Sequence, residues 1–260
     1  MNSNQEKFIR ILDKSQIPTC TILNVKIAAI DMKWLLDYTK ENIKKLSGDY
    51  MCVANVHTTV TAYETPDYLK VQNGGIMAIP DGGPLSSVGR KKGFQEMQRV
   101  TGPSYMEEIL KISEEQGYTH YFYGSTEQTL EKMEKNLRER YPNLKIVGIY
   151  SPPFRTLTEE EDMEVIEKIN QSKADFVWIG LGAPKQEYWM AAHQGKVKGF
   201  MVGVGAGFDY IAGNISRAPI WMQKCNLEWL YRLVQDPKRL FKRYVETNTK
   251  FIWHACIRGK

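Results

Sequence analysis

One carboxylate, Asp81, stands at a position suited to proton transfer. It follows an apolar run and lies between Pro80 and a Gly82-Gly83-Pro84 turn, which restricts its backbone. A carboxylate fixed in this way could act as a general base toward a hydroxyl group. The alternative is a turn-forming aspartate that accepts backbone hydrogen bonds. The local sequence leaves both roles open.

Glycine-rich loops follow other apolar runs. Gly124 and Ser125 precede Thr126 where a predicted strand meets a predicted helix. Backbone N–H groups at such a helix start could bind a phosphate, although a simple helix cap explains the same residues.

A second loop combines Gly182, Pro184, Lys185, Gln186 and Glu187. Proline favours the first position of a helix, so the cation and the amide are expected at the helix mouth. They suit a diphosphate and a sugar, whereas the alternative is a capped helix with a solvated lysine.

A third loop contains Gly205, Phe208 and Asp209. Close backbone approach, an aromatic ring and a carboxylate could together hold a nucleoside. The alternatives are a core position for Phe208 and a capping role for Asp209.

The sequence predicts no metal site and no bound cofactor. It contains no Asp-x-Asp, and the acidic run at residues 159–162 reads as the first turn of a helix.

His57 could assist proton transfer or contact a substrate, although a histidine beside a strand is more often structural. Four scattered cysteines without a CxxC pair indicate reduced thiols and a cytoplasmic protein. Because no metal site is predicted, negative charge in the reaction is expected to be stabilised by cationic side chains and helix dipoles.

Strands and helices alternate along the chain. This alternation predicts an α/β fold with a doubly wound, mostly parallel, Rossmann-like sheet, in which ligands bind beyond the carboxyl ends of the strands. The predicted strands are residues 50–56, 76–80, 120–124, 145–150, 175–180 and 200–204, and the clearest helices are 126–141, 159–171 and 185–193.

Three segments are expected. They are an N-terminal extension over residues 1–19, a catalytic body over 20–213 with a possible boundary between two lobes near 115, and a C-terminal appendage over 214–260. No stretch reaches the roughly 18 apolar residues of a membrane span, and the N-terminus lacks the apolar core of a signal peptide.

The appendage is basic and aromatic. It carries ten Lys or Arg and three Asp or Glu, a net +7, whereas the whole chain is +5. Basic helices with Trp and Phe suit the headgroup layer of an anionic membrane. Nucleic acid binding and simple helix packing on the body are the alternatives.

Taken together, these segments resemble the WecG/TagA/CpsF glycosyltransferase family over roughly residues 20–250. The motifs that carry the resemblance follow in order along the chain. They are Ala54-Asn55-Val56-His57, residues 80–84, residues 99–103, Tyr123-Gly124-Ser125, residues 182–187, residues 203–209, Ala212-Gly213, Arg217-Ala218-Pro219, Trp221-Met222 and residues 227–233.

The resemblance implies a metal-independent, inverting transfer of N-acetylmannosamine or a related sugar from a UDP donor to a polyprenyl-diphosphate-linked acceptor. Asp81 then corresponds to the base, and Asn55 and Arg99 line the acceptor and diphosphate side. The donor side takes Gly124, Ser125, Gly182, Lys185, Gln186, Glu187, Gly205, Phe208 and Asp209, and the acceptor or membrane side takes His57, Arg217, Arg232, Arg239 and Arg243.

The resemblance also implies a cytoplasmic protein attached to the inner face of the cell membrane, with no nucleic-acid partner and possible homo-oligomers. Ala54 replaces a threonine of the wall teichoic acid branch, and with His57 and Pro84 this favours the capsule or exopolysaccharide branch.

Two other function classes stay open: a nucleotide-cofactor oxidoreductase, although GxGxxG is absent after the first strand, and a nucleic-acid-binding module.

Overall fold

The computed structural model describes residues 14–257, apart from the side chains of Lys224, Arg239 and Cys256. Most of the predicted N-terminal extension therefore lies outside the described residues. The chain forms one eight-stranded sheet in the order β1-β2-β4-β3-β8-β7-β5-β6. The strands are β1 Thr19–Ile22, β2 Val25–Ala28, β3 Tyr50–Ala54, β4 Met77–Pro80, β5 Thr119–Gly124, β6 Lys145–Tyr150, β7 Phe176–Gly180 and β8 Phe200–Gly203.

All neighbouring strands pair in parallel except β1 and β2, which form an antiparallel hairpin. The predicted mostly parallel α/β fold is confirmed. The hairpin was not predicted, because its strands have only four residues each. Its two turn residues, Leu23 and Asn24, have positive φ angles of 48° and 66°, as a two-residue hairpin turn requires.

Helices cover both faces of the sheet. Alternate residues of β3 serve opposite faces: Met51 and Val53 pack into one core, and Tyr50 and Cys52 into the other. This double burial explains why the central strands read as continuous apolar runs. The helices are α1 Met32–Asn42, α2 Val56–Glu64, α3 Pro66–Gly74, α4 Gly83–Lys91, α5 Gly102–Gln116, α6 Glu127–Arg140, α7 Glu159–Gln171, α8 Lys185–Ala192, α9 Gly207–Ala212, α10 Ile220–Lys224, α11 Glu228–Gln235 and α12 Pro237–Phe251.

The chain segments before and after residue 115 contribute to the same sheet. They meet where β3 pairs with β8, with Tyr50 opposite Met201 and Met51 opposite Val202. The sheet is therefore continuous across the predicted boundary between two lobes.

The C-terminal segment packs on the body. Phe251 and Ala255 are buried in the same core as helix α2, and Lys250 forms an ion pair with Glu64 of α2 at 2.7 Å. A π-helical turn, Ile252–Ile257, follows α12. We call residues 214–257 the roof, because α11 and α12 cover the carboxyl ends of the central strands.

Candidate active site

A cavity of about 870 Å³ lies beyond the carboxyl ends of β3, β4, β7 and β8. The loops after these strands form its floor, and α11 and α12 contribute to its walls. This is the position at which open α/β sheets bind ligands, and the volume suits a nucleotide-sized molecule. Asp81 and the loop from Gly182 to Gln186 line this one cavity.

Asp81 is positioned by the sheet itself. Its backbone N–H donates to the carbonyl of Ala54 at 2.8 Å, which ties the end of β4 to the end of β3. Over residues 14–257, no hydrogen bond was found to its carboxylate. Burial raises the pKa of Asp81 to about 6; Arg99 opposes this rise, and Glu228 adds to it.

Asn55 and His57 line the same cavity as Asp81. The Asn55 side chain caps α2, accepting from the Thr58 N–H at 3.1 Å, while Thr58 Oγ1 accepts from the Asn55 N–H at 2.9 Å. This capping box ends β3 at Ala54, two residues before the predicted end. Burial, and then Arg243, lower the pKa of His57, so the ring is neutral at pH 7.

Arg99 connects the floor to the roof. Its Nε donates to the backbone carbonyl of Asp81 at 3.1 Å and its Nη1 to the carbonyl of Gln223 at 3.3 Å. Its Nη2 is ion-paired with Glu228. Glu228 begins α11, so an arginine of the body holds the roof beside the candidate base.

Gln186 fastens the two glycine-rich loops together. Its Oε1 accepts from the N–H groups of Gly182 and Gly205, at 3.2 and 3.1 Å, and its Nε2 donates to Glu187 at 2.8 Å. Glu187 in turn accepts from the Tyr68 hydroxyl at 3.2 Å. Both side chains were predicted to bind the donor. In the structure they are already hydrogen-bonded to other protein groups, and they shape the loops.

Five predicted site residues do not line the cavity: Gly124, Ser125, Lys185, Phe208 and Arg217. The Ser125 N–H is taken by the carbonyl of Gly180 at 3.1 Å, so it is not available to a phosphate. Phe208 is fully buried and packs edge-to-face with Phe122, which makes it a core residue. Lys185 is solvent-exposed.

Arg217 lies beside the cavity and is held by Glu107 at 3.0 Å and by Ser104 at 2.8 Å. Its guanidinium and that of Arg232 both lie over the Tyr210 ring, at 5.7 and 5.8 Å from the centroid. Asp209 does line the cavity, where it accepts from Asn214 at 3.1 Å.

The roof supplies cavity residues that the sequence analysis missed. Besides the predicted Arg232 and Arg243, it contributes Ile215, Asn226, Glu228, Trp229, Tyr244, Thr247, Asn248, Phe251 and Ile252. The spacing of residues 244, 247, 248 and 251 is that of one helix face, a signal that could have identified them. The side chain of Arg239, predicted to contact acceptor or membrane, lies outside the described part of the chain.

The roof also exposes large apolar side chains. They are Ile220, Trp221, Trp229, Leu230, Val234, Phe241, Val245, Ile252, Trp253 and Ile257. Exposed apolar residues at this density mark an interaction surface. No helix within residues 14–257 is both long and apolar enough to cross a membrane.

No group of three or more His, Cys, Asp and Glu side chains in the described part of the chain is arranged to hold a metal ion. The cations that line the cavity are Lys91, Arg99, Arg232 and Arg243.

Comparisons with known proteins identify relatives over most of the chain. A family model described as the glycosyl transferase WecG/TagA/CpsF family matches residues 20–260. An N-acetylglucosaminyldiphosphoundecaprenol N-acetyl-beta-D-mannosaminyltransferase of Bacillus subtilis (strain 168) is 28% identical over 226 residues, 85% of each chain. A protein of the same name from Staphylococcus aureus (strain MW2) is 26% identical over 231 residues, 88% of this chain and 89% of the relative. These findings favour the transferase prediction over the oxidoreductase and nucleic-acid-binding alternatives.

Proposed function

Because the chain belongs to the WecG/TagA/CpsF family of glycosyltransferases, we propose that it transfers N-acetylmannosamine or a related sugar from a UDP donor to a polyprenyl-diphosphate-linked acceptor. The relatives' names specify an N-acetylmannosaminyl group and an N-acetylglucosaminyldiphosphoundecaprenol acceptor. A sugar on a lipid diphosphate is thus the acceptor class that we test for this chain.

One observation carries the proposal: of the four carboxylates lining the cavity, Asp81 alone accepts no hydrogen bond from the described residues. Glu187 accepts from Gln186 and Tyr68, Asp209 accepts from Asn214, and Glu228 is paired with Arg99. A general base must have a lone pair available to its substrate. Asp81 meets that requirement at the floor of the cavity.

In the proposed reaction, Asp81 takes the proton of an acceptor hydroxyl while that oxygen attacks the anomeric carbon of the donor. The bond from this carbon to the UDP oxygen breaks, and UDP leaves. A single displacement of this kind inverts the anomeric configuration. A pKa of about 6 keeps Asp81 ionised at neutral pH and makes it a stronger base than an ordinary aspartate.

Negative charge builds up on the leaving diphosphate. Arg232 and Arg243 project from the roof into the same cavity as Asp81, and Arg99 stands beside it. Guanidinium groups bind phosphate oxygens through paired, charge-assisted hydrogen bonds. We propose that these cations stabilise the leaving group without a metal ion.

The exposed apolar side chains of the roof support attachment to the inner face of the cell membrane. Trp221, Phe241 and Trp253 are about half or more exposed, and Lys238 and Lys242 lie beside Phe241. Trp and Phe side chains among lysines suit the headgroup region of anionic lipids. The roof would then face both the lipid acceptor and the reacting centre.

The test is reconstitution with defined substrates. Purified protein is mixed with UDP-N-acetylmannosamine, UDP-N-acetylglucosamine or UDP-glucose and a short-chain polyprenyl-diphosphate N-acetylglucosamine, with and without EDTA. We expect a β-linked disaccharide lipid from an α-linked donor, by mass spectrometry and NMR, at a rate that EDTA does not change. The donor panel also tests whether this chain, with Ala54 in place of the threonine of the wall teichoic acid branch, transfers a sugar other than N-acetylmannosamine. No transfer from any UDP-sugar, or transfer abolished by EDTA and restored by a divalent cation, would contradict the proposal.

A further inference from the structure

Arg99 lies next to the candidate base but does not form an ion pair with it. All three of its guanidinium nitrogens have other partners: the backbone carbonyl of Asp81, the carbonyl of Gln223 and the carboxylate of Glu228. An arginine this close to an aspartate would ordinarily pair with the carboxylate and weaken it as a base. Here, the cation bonds to the backbone of Asp81 and the carboxylate is left open.

Glu228 is the residue that holds Arg99 in this orientation. Both side chains are largely buried, with 20% exposure for Arg99 and 12% for Glu228. The second carboxylate oxygen of Glu228 lies 3.5 Å from the Tyr210 hydroxyl, which fixes the glutamate from α9. A buried charge pair of this kind responds strongly to the loss of one partner.

We propose that Glu228 is a positioning residue, which keeps Arg99 on the backbone of Asp81 so that the Asp81 carboxylate stays unpaired and able to accept a proton. The role rests on the proposed function, in which Asp81 is the base. Because Glu228 belongs to the roof, the packing of the roof on the body then also prepares the base on the floor.

The charges around Asp81 agree with this role. Glu228 raises the pKa of Asp81, whereas the nearby guanidinium groups lower it. Without the glutamate, the carboxylate would face mostly cations. The charged and titratable groups that act on it are Arg99 from the α4–α5 segment, Tyr210 from α9, Arg217 from the α9–α10 segment, and Glu228 and Arg232 from α11. The same cavity is also lined by His57 from α2, Lys91 from α4, Glu187 from α8, Asp209 from α9 and Arg243 from α12.

The experiment follows the Asp81 carboxylate directly. Protein labelled with ¹³C at its aspartate carboxyl groups is titrated by NMR, and the Asp81 signal is assigned from its absence in Asp81→Asn. In Glu228→Gln we expect the Asp81 midpoint to move to lower pH. We also expect the transfer rate at pH 8 to fall about tenfold, because a carboxylate paired with arginine is a weaker base.

The matched control is Glu64→Gln, which also removes a carboxylate from an ion pair between body and roof, that with Lys250. It should leave the Asp81 midpoint in place. Glu228→Asp retains the charge on a side chain that is one methylene shorter. A smaller shift of the Asp81 midpoint, in the same direction, is therefore expected.

An unchanged Asp81 midpoint in Glu228→Gln overturns the proposal, even if activity falls, since a merely structural role would lower the rate without moving the titration. If Glu228→Gln does not fold, a wild-type midpoint together with a wild-type rate in Glu228→Asp overturns it instead. Failure of the proposed function is a separate result: Asp81→Asn would then retain transfer, whatever the midpoint does.

Discussion

The floor and the roof of the cavity are held in place by different means. The floor is fixed by the parallel sheet and by hydrogen bonds between its loops, above all those of the buried Gln186 side chain. The roof rests on the body through the Arg99–Glu228 and Lys250–Glu64 ion pairs and through buried side chains such as Phe251. The roof also exposes large apolar side chains to solvent, such as Phe241 and Trp253.

This difference separates two tasks. A rigid floor can keep a base within hydrogen-bonding reach of a substrate, which catalysis requires to within a fraction of an ångström. A roof with one face in the cavity and one in solvent can bring cations to the diphosphate while it contacts a membrane. The predictions below alter one of the two at a time.

Among variants that leave the candidate base in place, the largest effect is expected from loosening the floor. In Gln186→Leu, the partly buried N–H groups of Gly182 and Gly205 lose their acceptor, and an unsatisfied donor costs up to about 1–3 kcal/mol when it is buried. We expect a lower melting temperature and a transfer rate reduced about a hundredfold, because displaced loops misplace the donor. Gln171→Leu, which removes an exposed amide bonded within α7, is the control and should change neither. Wild-type kinetics in Gln186→Leu would show that the loops hold their shape without the hydrogen bonds of the Gln186 side chain.

Removing a cation from the roof should have a smaller effect. Arg232→Gln takes a charge out of the cavity, and charge-assisted hydrogen bonds contribute about 1.5–3 kcal/mol. We therefore expect kcat/KM to fall roughly ten- to a hundredfold with a water-soluble acceptor, at an unchanged melting temperature. Lys242→Gln, whose side chain is 85% exposed on α12, is the matched control. Equal losses in both variants would contradict a role for Arg232 inside the cavity.

The smallest effect concerns the outer side of the roof. Phe241→Ser removes a ring that is 62% exposed there, and we expect binding to anionic vesicles to weaken about tenfold, since burying a phenylalanine contributes about 1.5–3 kcal/mol. Phe154 is 89% exposed on the β6–α7 loop of the body, so Phe154→Ser should leave vesicle binding unchanged. If both substitutions weaken sedimentation with vesicles equally, the roof is not the membrane-facing surface.

The sequence predicted the floor better than the roof. Six strands, β3 to β8, were placed within two residues at each end. Five of them lie inside the sheet and are buried on both faces, so they read as apolar runs, whereas β6 is the edge strand. The sequence also predicted ligand binding beyond the carboxyl ends of the parallel strands, where Asp81 and the loop at Gly182 line one cavity.

What the sequence could not show is which side chains are already engaged. Gln186 at a helix mouth reads as a ligand-binding amide, but only the fold brings Gly205 near enough to use it. For Phe208 the sequence left both a nucleoside contact and a core position open, and the fold places the ring in the core against Phe122. The pairing of Arg99 with Glu228 joins residues 129 positions apart, and no local pattern reports such a contact.

The most direct test of the account is the single-turnover rate of Asp81→Asn with the cognate donor and a lipid acceptor. Asparagine retains the shape but cannot take the proton, so we predict a rate at least about a thousandfold below wild type, with donor affinity unchanged. Asp67→Asn, an exposed aspartate on α3, serves as the control and should transfer normally. An Asp81→Asn rate within about tenfold of wild type would contradict the central claim that this carboxylate is the base.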